Sequence, residues 1–155
     1  MNLLLLISLI IIGVSSQNNH GCKTDCDCPD FVGLVINNGI QVYERIDSCT
    51  FKLTCLDGEQ PFVTFLWADS EIEKPSDSHE ISTYFTTSFV VGSQPFPTVD
   101  FMSTYGVACE DGAWIATKYN LTLYYGTTGL YLEIPSETIN GKKSKILAAG
   151  CDQDY

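Results

Sequence analysis

Basic residues are scarce in this chain: 8 Lys and Arg stand against 19 Asp and Glu, for a formal net charge of −11. A surface of that sign repels polyanions, so nucleic acid and anionic membrane surfaces are excluded as partners. Histidine is nearly absent. His20 and His79 are the only two, which leaves few general bases and few imidazole ligands. There is no His-Glu-x-x-His for metal hydrolysis, no Gly-x-Ser-x-Gly elbow and no glycine loop to cradle phosphate. No helical period of any length, internal repeat or low-complexity tract is visible. Long apolar runs are missing too, apart from Leu3 to Val14, which falls short of the ~20 residues that span a bilayer. Followed by Ser15 and Ser16, that run reads as a secretory signal peptide over residues 1–16, cleaved after Ser16. No Lys or Arg precedes it, so the α-amino group alone supplies its positive end. The expected product is secreted and extracellular.

What the chain does have is cysteine: Cys22, Cys26, Cys28, Cys49, Cys55, Cys109 and Cys151. Behind a signal peptide these read as disulfide cysteines rather than zinc ligands, because the secretory pathway is oxidising. No metal and no cofactor is expected. Seven is odd, so one cysteine is left as a free thiol or joins two chains into a disulfide-linked homodimer, and the cluster Cys22/Cys26/Cys28 is where it is expected. Residues 17–30 form a cysteine-rich N-terminal lead-in. A ring closed within Cys-x-Cys is strained, so this segment should be pinned to other parts of the chain. Asp25, Asp27 and Asp30 lack the glycine and closing glutamate of a calcium loop and read as solvated charge.

Residues 31–155 read as a single β-sandwich domain, all-β and antiparallel. Its frame is Cys49-Thr-Phe-Lys-Leu-Thr-Cys55, where Cys49, Phe51, Leu53 and Cys55 alternate with polar residues at strand period. Phe31 to Ile36 and Ile40 to Tyr43 read as two arms around Asn38-Gly39, a hairpin signal. Phe62 to Trp67, Ile81 to Val91, Val99 to Cys109, Trp114 to Tyr125, Leu130 to Pro135 and Lys145 to Cys151 read as further extended segments, with a turn at Asp111-Gly112. Ala68 to His79 is acidic, contains Pro75 and reads as an exposed loop; Ser78, His79 and Glu80 adjoin there without forming a triad by adjacency. Asn120-Leu-Thr122 is a glycosylation sequon, so Asn120 is expected to carry a glycan on a solvent face.

Cys55, Trp67 and Cys109 follow the order of the immunoglobulin sandwich, in which an inter-sheet disulfide packs on a tryptophan. The expected bridge is Cys55–Cys109, although Val107 stands where that pattern has tyrosine. The cluster Cys22/Cys26/Cys28, the strand Cys49-x5-Cys55, the unit Cys109-x-x-Gly112-x-Trp114 and Cys151 together resemble the six-cysteine extracellular domain family of nematode secreted proteins. The resemblance runs over about residues 22–151 and implies a family of unknown function, with no catalytic residues to carry over. The reading is therefore a secreted, non-enzymatic extracellular domain, a binding or structural module whose partner is an extracellular protein or glycan. The alternative is a small secreted hydrolase. A concave carboxylate cluster with one raised carboxyl pKa would favour the hydrolase, and an exposed patch of Tyr84, Tyr119, Tyr124 and Tyr125 would favour binding.

Overall fold

The computed structural model describes residues 26–36, 41–56, 60–86, 100–119, 123–127 and 130–152. The signal peptide 1–16, Cys22, the Asn37–Gly39 turn, residues 87–99 and the sequon at Asn120 lie outside the described residues. After a 3-10 helix at Phe31–Leu34 come β1 (Gln41–Arg45), β2 (Phe51–Cys55), β3 (Gln60–Ser70), β4 (Ser82–Thr86), α1 (Phe101–Tyr105), β5 (Ala108–Glu110) and β6 (Ala113–Ala116). β7 (Leu123–Thr127), β8 (Leu130–Ile134), α2 (Ser136–Ile139) and β9 (Ser144–Asp152) follow. The class is all-β.

Seven strands make one antiparallel sheet in the order β5-β6-β9-β3-β4-β7-β8, and β1 with β2 makes a separate ribbon. β3 and β9 form its centre, because β3 is a run of aromatic and β-branched residues that fits a buried pleat. Val63, Phe65 and Trp67 of β3 are buried, as are Ile146, Ala149 and Cys151 of β9. The ribbon keeps the alternation read from the sequence: Phe51 and Leu53 are buried and Lys52 is exposed. Phe51 stacks on Phe31 at 3.9 Å between ring centroids and meets the Trp114 ring edge-on at 5.6 Å. That aromatic cluster seats the ribbon on the sheet.

The Asp111-Gly112 turn joins β5 to β6 with φ of 49° and 76°. Positive φ at both central residues matches the twist of a two-residue hairpin, which is why Asp-Gly is the signal there.

Three local expectations are corrected. Phe31 to Ile36 is not a hairpin arm: the Asp30 side chain accepts the Val32 N–H at 3.1 Å, winding the next residues into the 3-10 helix. Its end touches the sheet only as an isolated parallel bridge, where Val35 pairs with Ala149 and the Ile36 N–H donates to Ala149 O at 2.8 Å. β1 pairs instead with β2 around a turn in which the Ile46 and Asp47 N–H groups both donate to Thr50 O. The stretch 99–109 is not extended throughout either. Phe101 and Tyr105, four residues apart, are both buried on one side of α1, and Gly106 ends the helix in the left-handed region at φ 58°. α2 is a second short helix where none was expected.

Gly106 also marks a close approach, since a Cβ there would fall 2.5 Å from Thr117 Oγ1. Gly106→Ala combines left-handed strain with that clash and is expected to cost about 2 kcal/mol. Urea unfolding measures it; a variant as stable as the native protein would remove the packing argument.

Candidate functional site

The lead-in, the ribbon turn and β6 converge on a shallow surface depression lined by Asp30, Tyr43, Arg45 and Asp47 above Phe51 and Trp114. β1 delivers Tyr43 and Arg45 two residues apart, hence on one face of the ribbon. Both reach Asp30: the Tyr43 hydroxyl donates to Oδ1 at 2.6 Å and Arg45 Nη1 donates to Oδ2 at 2.9 Å. Arg45 Nε donates to the Asp47 carbonyl at 3.1 Å, and Asp47 Oδ1 accepts the Cys49 N–H at 2.8 Å.

These contacts set the charge states. The hydrogen bond from Tyr43, followed by that from the Val32 N–H and the Arg45 charge, holds the Asp30 carboxyl below its ordinary range. Asp47 is held low by the Cys49 N–H and then by Thr50. Burial, reinforced by the Asp30 carboxylate, pushes the Tyr43 hydroxyl up to about 12. Both acids are therefore fixed as anions that accept hydrogen bonds, the opposite of a general acid held protonated near neutral pH.

The pH consequence follows from the sign of the shift. A carboxyl with a lowered folded pKa stabilises the fold above its unfolded pKa, and that contribution is lost as pH falls through the folded value. Asp30→Asn is expected to lower stability at neutral pH and to remove part of the loss on acidification. Denaturant midpoints at neutral pH and at about pH 3 check it. An unchanged difference between the two conditions would show that Asp30 is not linked to folding.

The other candidates are dispersed. Ser78 is buried, its hydroxyl without a partner among the described residues, while His79 and Glu80 are exposed. His79 contributes its backbone N–H to Gly126 O, so this tripeptide does not assemble as a triad. Tyr119 is fully buried and donates to Ser144 Oγ at 2.6 Å, which removes it from any exposed patch. The side chains of Tyr84, Tyr124 and Tyr125 lie outside the described set. Lys143 pairs with Glu110 and donates its backbone N–H to Glu71 Oε2 at 2.8 Å.

The described cysteines form the bridges Cys26–Cys49, Cys28–Cys109 and Cys55–Cys151. The expected Cys55–Cys109 bond is thus corrected. Cys109 sits on the edge strand β5 opposite Trp114, next to the lead-in, while Cys55 closes β2 and is bonded to the end of central β9. Trp67 packs edge-on against Phe65 at 5.7 Å, so the immunoglobulin grouping of Cys55, Trp67 and Cys109 does not occur. The Sγ atoms of Cys26, Cys28 and Cys109 lie within 4.8 Å of one another because two bridges are neighbours. Oxidised in pairs, they offer no thiolate to a metal ion. Six of the seven cysteines are engaged in these bridges, and Cys22 lies outside the described residues.

The Asp30–Tyr43–Arg45 grouping escaped the sequence reading. Its one sequence signal is the i, i+2 placement of Tyr43 and Arg45, and nothing local to Asp30 points to them. A family model described as TRA-1 regulated protein R03H10.4 matches residues 24–151, close to the span of the resemblance carried by the cysteine order. No curated protein and no solved structure matched the chain.

Proposed function

The chain belongs to the TRA-1 regulated protein R03H10.4 family, a family of unknown function, and from that premise we propose that it is a secreted, non-enzymatic extracellular domain. It acts as a binding or structural module whose partner is an extracellular protein or glycan. The observation that carries this reading is covalent. Three disulfides tie the lead-in to the ribbon turn, the lead-in to the sheet edge, and the ribbon to the central strand, a framework suited to an oxidising compartment. No helix among the described residues is long and apolar enough to cross a membrane.

The rival reading, a small secreted hydrolase, needs a carboxyl whose pKa is raised. Asp30 and Asp47 line the depression, yet both are shifted the other way by hydrogen bonds within the fold. Their engagement favours a structural role for this grouping.

Expression of the full chain in a secreting eukaryotic cell tests the proposal. The expected product is in the medium, begins at Gln17, carries a glycan on Asn120, and on reduction gains two hydrogens for each of three bridges. It should also hold one additional thiol, free or joining two chains, that disappears in Cys22→Ser. A cell-retained product with Met1 in place, or with its cysteines reduced, would overturn the reading.

A further inference from the structure

Neighbouring disulfides are not independent bonds when a sulfur of one lies within reach of the other. The lead-in carries Cys26 and Cys28 one residue apart and is clamped between the ribbon turn, through Cys49, and the edge hairpin, through Cys109. The Sγ atoms of Cys26, Cys28 and Cys109 therefore lie within 4.8 Å of one another. Thiol–disulfide exchange needs only a thiolate placed against a bridge sulfur; it requires no further group and no net electron transfer.

The two bridges differ in access. Cys26 and Cys49 are both half-buried, so either sulfur can be met from outside; in the second bridge Cys109 is half-buried too, but Cys28 is only 8% exposed and belongs to the hydrophobic core, which leaves one approachable end. A small external dithiol accordingly meets Cys26–Cys49 first. In that step the dithiol closes to its own cyclic disulfide, and Cys26 and Cys49 each end as a thiol.

We infer that Cys109 is a shared partner, held by Cys28 in the resting protein and transferable to Cys26. The Cys26 thiolate attacks Cys109 Sγ, the Cys26–Cys109 bond forms as the Cys28–Cys109 bond breaks, and Cys28 leaves as the thiolate. Attack on Cys28 itself would close the strained Cys26-Asp27-Cys28 ring, which directs the exchange to Cys109. The opening of an accessible bond is thus relayed to a buried cysteine, while the lead-in stays tied to the sheet edge through one bond or the other. This inference goes beyond the extracellular reading and does not depend on it.

The test is the full chain carrying Cys22→Ser and Cys49→Ser, which leaves Cys26 without its resting partner and removes the seventh thiol. After acid quenching, maleimide blocking and digestion without reductant, a Cys26–Cys109 linked peptide with maleimide on Cys28 is expected alongside the Cys28–Cys109 peptide. Cys109 found wholly with Cys28, or a Cys26–Cys28 bridge, overturns the inference. The unmodified chain gives a second measurement that does not rely on the variant folding. One equivalent of dithiothreitol should leave maleimide on Cys49 and, in comparable amounts, on Cys26 and Cys28; label confined to Cys26 and Cys49 overturns the relay.

Discussion

Replacing Cys55 and Cys151 together by Ala is expected to lower stability by about 4 kcal/mol and to depress the melting temperature by roughly 10–20 °C. The bond joins positions 96 residues apart, but the other two bridges shorten the path. Passing through Cys49–Cys26 and Cys28–Cys109, the covalent loop it closes is roughly 50 residues, which sets the figure in the chain-entropy model. Cys151 is fully buried on β9 and Cys55 ends β2, so the bond is also the only covalent tie from the ribbon to the sheet centre among the described cysteines. Thermal unfolding of the double variant under oxidising conditions measures the effect. A shift of only a few degrees would mean that packing, not the bond, holds the ribbon down.

Phe51→Ala addresses that packing and should cost about 3–5 kcal/mol. The side chain is only 3% exposed, and its ring meets Phe31, Tyr43, Phe101 and Trp114 with centroids 3.9 to 6.0 Å apart. Deleting it leaves a cavity where the 3-10 helix, the ribbon, α1 and β6 meet, and no single neighbour can fill space bounded by four elements. Urea unfolding gives the number, and near-ultraviolet dichroism of the tryptophans reports whether the cluster has loosened. A loss under about 1 kcal/mol would show that the cluster collapses onto the gap.

The parts of the fold legible in the sequence were those decided within a few residues. The burial of Phe51 and Leu53 follows from alternation, and the β5–β6 hairpin follows from Asp111-Gly112. The misread parts depended on distant partners or on competing local signals. Phe31 to Ile36 has strand composition, but the Asp30 side chain diverts its first turn to a 3-10 helix. Phe101 and Tyr105 carry a helical spacing only one turn long, too short to stand out among extended neighbours. Disulfide pairing was the least legible property, since seven cysteines can be connected in roughly a hundred ways. Local reasoning did exclude a bond inside Cys-x-Cys: Cys26 and Cys28 each pair with a distant cysteine. The Asp30–Tyr43–Arg45 grouping could not be read because it joins residues 13 and 15 positions apart through a ribbon whose own pairing was misassigned.

The position of β9 has a consequence for the order of events on the ribosome. This strand is made after all its neighbours, yet it occupies the sheet between β6 and β3. Until it emerges, the hairpin β5–β6 has no strand linking it to β3, and the inner edge of β3 presents open backbone groups. Most of the sheet's long-range order therefore waits for residues 144–152, and closing such distant contacts last makes assembly slow. Over that interval the Cys55 thiol is without Cys151, so this bond is the last of the three that can close, and any earlier pairing of Cys55 must be undone by exchange before the native one forms.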